Sequence, residues 1–222
     1  MRPRHLLAPL LLAPLLALAL LGGCQTAYYA AMEKVGFAKR DILSSRVKSA
    51  RDAQTDAKME ITSALDVFGK VVSYQGGELE TQYKRLNGKL EDSEDAAKNV
   101  RKRVSDVQEV GDALFREWRG ELAKYSSADL RRRSEEQLNQ THARYDTLVA
   151  AMKQAEARLD PALRPLRDQV LFLKHNLNAR ALTSLKGEVA RMDSEVNSLV
   201  AELNRSIAEA NRFIDDLDKN PG

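Results

Sequence analysis

Residues 79–118 read LETQYKRLNGKLEDSEDAAKNVRKRVSDVQEVGDALFREW. Apolar and small residues recur in this stretch at alternating steps of four and three over more than five heptads: Leu79, Tyr83, Leu86, Leu90, Ser93, Ala97, Val100, Val104, Val107, Gly111, Leu114 and Trp118. A sustained repeat of 3.5 residues places them on one face of an α-helix and predicts a left-handed coil against a partner helix. We expect Ser93 and Gly111 to be weak positions in this stripe.

Three further segments carry stripes of the same kind, so we predict four helices, at about 28–74, 78–119, 127–158 and 161–217. The paired glycines Gly76 and Gly77 end the first segment. Ser126, with Asp129 three residues later, resembles a capping box at the start of the third. Asp160 followed by Pro161 predicts a new helix start, with Asp as the N-cap and Pro at the first helical position.

The fourth segment contains two apolar registers that do not join by steps of three and four. The first ends at Leu177 and the second begins near Leu182. Leu177, Ala181 and Leu185 are spaced by fours, and we interpret this spacing as a stutter that locally unwinds a coiled coil.

These patterns predict an all-α fold in which long amphipathic helices form antiparallel coiled-coil hairpins or an elongated helical bundle over residues 28–222. A helix of about 45 residues is roughly 65–70 Å long and needs another helix along its apolar stripe to be stable in water. The simplest arrangement is a hairpin of the first two helices at Gly76-Gly77. Because the stripes are narrow, self-association could share the burial.

The N-terminus indicates export. Basic residues Arg2 and Arg4 precede an apolar run from Leu6 to Leu21, which is short for a membrane span and contains prolines. This order is typical of a secretory signal. The alternatives are an ordinary signal and a signal anchor in which Cys24 is incidental.

The sequence Leu21-Gly22-Gly23-Cys24 resembles the lipobox of bacterial lipoproteins. The resemblance implies that residues 1–23 are removed and that Cys24 is lipidated, its amine taking a fatty acid such as palmitate, with 24–27 a short tether. Cys24 is the only cysteine of the chain, and lipidation would account for an odd cysteine in an exported protein. Gln25, in place of an Asp, favours the periplasmic face of the outer membrane in a Gram-negative host.

The charge balance argues against nucleic acid as a partner. The chain has 35 Lys and Arg against 32 Asp and Glu. Removal of Arg2 and Arg4 with the signal leaves 33 against 32. A nearly neutral mature chain lacks the excess of cations that attracts polyphosphate backbones.

No catalytic, cofactor or metal motif stands out. His142 and Asp146 should share a helix face, but two groups are too few for a metal site, and no His-Glu-x-x-His pattern is present. We therefore expect a protein that is not an enzyme and that has no cofactor.

Two polar clusters are candidate partner contacts. The first is Arg131, Arg132 and Arg133, which could bind lipid headgroups, phosphates or an acidic protein; the alternative is an exposed face balanced by Glu135 and Glu136. The second is the stretch from His175 to Arg180, in which Asn176 and Asn178 could specify a partner from within a coiled-coil seam; the alternative is a kink or a helix end.

Three stretches of sequence carry a family resemblance: TAYY at 26–29, MEKVG at 32–36 and LKHNLNA at 173–179. On these stretches and the lipobox, the chain resembles domain-of-unknown-function family 2959, an uncharacterised family of bacterial lipoproteins. The resemblance covers nearly the whole mature chain. It implies a lipoprotein and a coiled coil, and no activity.

We expect a scaffolding or partner-binding lipoprotein of the cell envelope, anchored to the membrane by its lipid, that binds an envelope protein partner or itself through coiled-coil surfaces. The alternative is a peptidoglycan- or lipid-associated accessory protein that regulates an envelope enzyme.

Overall fold

A computed structural model of the chain describes residues 39–219. They form five α-helices and one 3-10 turn: α1 (Lys39–Val72), α2 (Leu79–Glu121), the turn Leu122–Lys124, α3 (Ala128–His175), α4 (Ala179–Ser184) and α5 (Lys186–Lys219). Residues 39–219 contain no β-strand, so the all-α prediction is confirmed. The predicted signal 1–23, Cys24, the tether 24–27 and the first part of the predicted first helix, 28–38, lie outside the described residues.

The chain divides into two units, Met1–Ile42 and Leu43–Gly222. Of the first, the structure describes only the first turn of α1, Lys39–Ile42. In the second, four long helices form an antiparallel bundle in which α1 and α3 each lie against α2 and α5. One polar contact for each adjacent pair of helices shows the arrangement: Glu60 to Lys89 at 3.0 Å, Trp118 to Ser134 at 2.9 Å, Arg144 to Asp216 at 3.2 Å and Lys58 to Asn204 at 3.1 Å.

The apolar stripe of α2 faces the interior of the bundle, as its repeat predicts. Eight consecutive positions of that stripe are buried: Leu86, Leu90, Ser93, Ala97, Val100, Val104, Val107 and Gly111. Beyond Gly111 the buried residue is Phe115, whereas the predicted Leu114 and Trp118 are half-buried. The register changes here because the Phe115 ring packs on the Tyr145 ring of α3, with ring centroids 5.1 Å apart.

One end of the bundle is closed by the short helix α4. A buried apolar cluster there joins all five helices: Ala64, Val67, Phe68, Val71, Val72, Leu86, Leu90, Leu166, Val170, Leu173, Leu182, Leu185 and Met192. Leu182 of α4, together with Leu185 directly after it, covers the end of this cluster, so the bundle core does not open to solvent at that level.

The predicted helix boundary at Asp160-Pro161 is wrong, because α3 continues without a break through Pro161 and Pro165 to His175. A proline inside a helix removes a backbone hydrogen bond and costs about 3 kcal/mol. The core side chains around the prolines offset this cost: Leu159, Ala162, Leu163 and Leu166 are all buried. We attribute the continuity of α3 to their packing.

The helix is interrupted instead at residues 176–178, between α3 and α4. The sequence predicted a continuous helix with a stutter at this place. The sequence predicts that Leu177 belongs to the buried register, and this prediction is wrong, because the Leu177 side chain is 38% exposed. The second register starts correctly at Leu182 and continues along α5. The mismatch between the two registers therefore marks the end of one helix and the start of the next, and not a local unwinding of a continuous helix.

Candidate binding surfaces

Large exposed hydrophobic side chains are concentrated at the two ends of the bundle. Six occur among the described residues: Met59, Tyr125, Leu130, Leu171, Phe172 and Leu177. Only Met59 lies along the length of the bundle. The others flank the two connections of α3, and such clustering at a few places is a common mark of interaction surfaces.

The first surface is the α3–α4 end, which we define as residues 171–186. Its backbone is held by two asparagines. Asn176 Nδ2 donates to the Phe172 carbonyl at 2.9 Å, and Asn178 Oδ1 accepts from the Ala181 N–H at 3.0 Å as the N-cap of α4. Asn176 and Asn178, which the sequence offers as candidate partner contacts, thus have local capping roles in the structure.

These caps hold an apolar patch at the surface. Leu171 is 60% exposed and Phe172 is 40% exposed, whereas the next residue, Leu173, is fully buried in the core. The sequence carries a signal for this patch. Residues 170–173 read VLFL, and four consecutive apolar residues on a helix cannot all face one core.

The α3–α4 end is also basic. No Asp or Glu occurs from residue 169 to 187. The side chains of Lys174, His175, Arg180 and Lys186 are exposed in this interval. The end therefore combines apolar and cationic groups, and a surface that is apolar and acidic would complement it.

The second surface is the α2–α3 tip, which we define as residues 118–134 and which includes the predicted arginine cluster. Its turn is closed by Ser127, whose Oγ accepts from the Leu130 N–H at 3.3 Å. The N-cap of α3 is thus Ser127, and the predicted Ser126 is wrong by one residue. The indole N–H of Trp118 donates to Ser134 Oγ at 2.9 Å and joins the two helices below the turn.

At this tip Arg131, Arg132 and Arg133 are exposed. Arg132 is paired with Asp129 at 2.8 Å. Within residues 39–219 no ion pair engages Arg131 or Arg133. Because α3 joins the two surfaces along its whole length, the arginine cluster and the His175–Arg180 stretch lie at opposite ends of the bundle and cannot form one site.

An aromatic cluster lies next to the α2–α3 tip, formed by the buried Phe115 and Tyr145 and the half-buried His142. His142 Nδ1 is 2.9 Å from Asp146 Oδ2, which confirms that they share a helix face. The His142 ring lies edge-on to Phe115, with centroids 4.6 Å apart. Tyr145 OH donates to the carbonyls of Gln108 and Val107 at 3.3 and 3.4 Å, and burial raises the pKa of Tyr145. These contacts hold α3 against α2.

A chain of ion pairs spans the proline segment of α3. Asp160 is bonded at 2.8 Å to both Arg164 and Arg167, and Arg167 also donates to Glu94 of α2. The two guanidinium groups lower the pKa of Asp160 from 3.8 to about 2. The charged groups of these ion pairs are therefore used in holding α3 in place against α2.

Among residues 39–219, no group of three or more His, Cys, Asp and Glu side chains is placed to hold a metal ion. In that same range no helix is both long enough and apolar enough to cross a membrane.

A family model described as "Protein of unknown function (DUF2959)" matches residues 28–217. No match was found among curated proteins or among solved structures.

Proposed function

The chain belongs to the DUF2959 family, whose description names no activity, and we propose that it is a non-enzymatic lipoprotein of the bacterial cell envelope that binds a protein partner through its α3–α4 end. The observation that carries this proposal is the exposed patch of Leu171, Phe172 and Leu177 within a stretch that has basic side chains and no acidic ones.

The long faces of the bundle are less suitable for a partner than its ends. The stripes predicted to bind other helices are buried within the chain itself, as Val47, Val104, Leu159 and Leu203 illustrate with exposures of 0 to 1%. A partner that used these seams would have to unfold the bundle. We therefore propose that a partner binds at the α3–α4 end and not along the coiled-coil surfaces expected from the sequence.

The partner should present acidic and apolar groups together. Leu171 and Phe172 would lose water-exposed apolar area on binding, which contributes about 25 cal/mol per Å². Lys174 and Arg180 would steer an acidic surface toward the patch and favour it over a basic one. Asn176 and Asn178 would keep the backbone of the patch in place before binding.

The second part of the proposal concerns the cellular location of the protein. We propose that Cys24 carries the lipid that attaches the chain to the periplasmic face of the outer membrane. In the full-length protein, Cys24→Ala should abolish labelling with radioactive palmitate and move the protein from the membrane to the soluble fraction. A Cys24→Ala protein that is still labelled and still sediments with membranes contradicts the anchor.

The partner site is tested by co-purification of the full-length protein from envelope membranes in mild detergent. A Leu171→Asp/Leu177→Asp double variant should lose a stoichiometric protein partner. Met59→Asp is the matched control, because Met59 is 56% exposed and lies away from both ends. All variants should melt at the temperature of the parent. A partner retained by the double variant, or co-sedimentation with purified peptidoglycan by all three proteins, contradicts the proposed site.

A further inference from the structure

We propose that the α2–α3 tip rests on the anionic lipid surface into which the acyl chains of Cys24 insert; this inference depends on the lipid anchor proposed above. The surface, at 118–134, is separate from the α3–α4 end and would bind lipid headgroups and not the protein partner.

The tip projects beyond the described end of α5. Arg144 pairs with Asp216 at 3.2 Å, so the last described residue of α5, Lys219, is level with about residue 141 of α3. Thirteen residues of α3 precede that level, back to Ala128. At 1.5 Å per residue the α2–α3 hairpin extends roughly 20 Å past the end of α5.

The projection points toward the side from which the chain enters the bundle. Glu60 pairs with Lys89 of the antiparallel α2, which places Leu43 level with about residue 106, near the end of α2 that carries the tip. Cys24 precedes Lys39, the first residue of α1, by fifteen positions. A chain of that length can span at most about 50 Å, so a lipid surface roughly 20 Å beyond Leu43 is within its reach.

The tip exposes the apolar groups that a membrane interface accepts. Tyr125, in the turn, is 42% exposed, and Leu130, in the first turn of α3, is 53% exposed. Tyrosine is enriched at the level of lipid headgroups because its ring is apolar and its hydroxyl is polar. Leu130 can insert among the acyl chains while its backbone N–H stays bonded to Ser127 Oγ.

The charge of the tip suits an anionic surface. It has five basic side chains, Arg119, Lys124, Arg131, Arg132 and Arg133, against two acidic ones, Glu121 and Asp129. Both acidic groups are already paired, with Lys124 at 3.3 Å and with Arg132 at 2.8 Å. Within the described residues, Arg119, Arg131 and Arg133 are left without an ion pair, and arginine binds phosphate oxygens with two parallel hydrogen bonds.

Directly behind the tip three acidic residues, Glu117, Glu135 and Glu136, outnumber the basic Arg116. The net positive charge is therefore confined to the outermost part of the hairpin, where a lipid surface would meet it. An acidic protein could also use these arginines. We favour the lipid because a surface held within reach of the tether has a high effective concentration, so individually weak contacts suffice.

The protein contains its own reporter. Trp118 is the only tryptophan and lies half-buried at the base of the tip. The full-length lipidated protein is reconstituted into phosphatidylcholine vesicles with and without phosphatidylglycerol, each carrying a lipid brominated on its acyl chain. Flotation of the protein with the vesicles reports the anchor, and quenching of Trp118 fluorescence reports contact of the tip.

We expect the protein to float with both kinds of vesicle and Trp118 to be quenched mainly on the anionic ones, with less quenching at high salt. Arg131→Gln/Arg133→Gln should reduce the ratio of docked to undocked protein about fivefold per arginine. Tyr125→Ser/Leu130→Ser should also reduce it. Leu171→Ser/Phe172→Ser, at the opposite end, is the matched control and should leave the quenching unchanged.

Flotation without quenching overturns the contact and leaves the anchor standing. Equal quenching on neutral vesicles, or quenching that survives Arg131→Gln/Arg133→Gln, also overturns it. A protein that does not float contradicts both the anchor and the contact. If an acidic protein is the true occupant of the tip, Trp118 stays unquenched on vesicles of either composition.

Discussion

Gly111 allows α3 to approach α2 closely. A Cβ atom at this position would overlap the ring of Tyr145, whose hydroxyl bonds to the α2 backbone. From the sequence Gly111 is expected to be a weak seam position, since the sequence does not show that an aromatic ring from another helix occupies the space. The missing side chain is what brings Tyr145 within reach of the Gln108 carbonyl.

Gly111→Ala should therefore destabilise the protein although alanine is the better helix former. Overpacking of a filled core costs about 1–3 kcal/mol, against a gain in helix propensity of about 1 kcal/mol. Gly88→Ala in the same helix is the control, because nothing lies within 4 Å of its Cβ position, and it should stabilise. Urea unfolding of the two variants should shift the midpoint in opposite directions; shifts of the same sign would contradict the close packing of Tyr145.

A second residue-scale feature is Gln54, which interrupts the apolar stripe of α1. Its side chain is fully buried, and within the described residues neither amide atom has a hydrogen-bond partner. Ser206 of α5 is also buried, with its Oγ unpaired there. Hydrogen bonds from Arg51 to Asn211 and from Lys58 to Asn204 bracket both residues, so the two lie at similar levels of the bundle.

Gln54→Leu should raise the free energy of unfolding, because an unsatisfied buried amide costs about 1–3 kcal/mol and leucine has a similar volume. The same substitution at the exposed Gln140 is the control and should change stability by less than about 0.5 kcal/mol. Thermal melts of the two variants decide the matter. A loss of stability in Gln54→Leu would mean that a bound water satisfies the amide.

At the scale of elements, the sequence predicted the interior faces better than the helix ends. The α2 seam from Leu86 to Gly111 follows directly from its repeat, since one buried face is enough to fix the register. The predicted helix boundary at Pro161 was wrong because proline is a helix breaker only when packing does not offset its cost. Here Leu163 and Leu166 pack against other helices, and the sequence does not show this packing. The real break at 176–178 was visible as a register mismatch, but its Asn178 cap was not recognised.

Local sequence patterns predicted the charged part of the candidate surfaces and missed their apolar part. The Arg131–Arg133 cluster is evident from sequence, because charge runs are exposed in almost any fold. Leu171 and Leu130 were missed, since an exposed leucine cannot be distinguished from a core leucine until the positions of neighbouring helices are known. That the two surfaces lie at opposite ends follows only from the continuity of α3.

The ion-pair chain across the proline segment gives a prediction on pH. Because the folded-state pKa of Asp160 is lowered from 3.8 to about 2, its contribution to stability is present above about pH 4 and is lost as the pH falls toward 2. The Asp160 side chain is 45% exposed, so solvent screening limits the contribution to about 1 kcal/mol or less.

Asp160→Asn should remove this contribution and make the melting temperature less dependent on pH between 4 and 2. The control is Asp95→Asn, which removes an exposed carboxylate outside the ion-pair chain and should follow the parent. Melting curves at pH 5, 4, 3 and 2 make the comparison. An Asp160→Asn variant whose melting temperature falls as steeply as that of the parent would show that the ion pairs do not act on stability.

At the scale of the whole molecule, the second unit closes its helical seams within one chain. Each long helix has two neighbours in the bundle, and buried side chains continue along all four helices. Self-association, which narrow stripes had left open, is therefore not required to bury them. Apart from Met59, the large exposed hydrophobic side chains lie at the two ends, and these are where the proposed contacts with a partner and with lipid lie.

The last prediction tests this closure through Val104, which is 1% exposed in the middle of the α2 seam. Val104→Asp places a charge where no polar partner can solvate it, and the cost should be about 3–5 kcal/mol, a large part of the 5–15 kcal/mol typical of a domain. Asn99→Asp adds the same charge at an exposed position of α2 and should cost well under about 1 kcal/mol. If Val104→Asp does not fold, Val104→Ala should still show a loss of about 2 kcal/mol.

The melts should be run on the mature, non-lipidated chain at two protein concentrations. If the seams close within one chain, the midpoint of the parent is independent of concentration, because unfolding does not change the number of particles. A midpoint that rises with concentration would keep the register and move the partner helix to a second chain. Equal losses for Val104→Asp and Asn99→Asp would instead mean that Val104 does not face the core, because only a buried position makes the added charge costly.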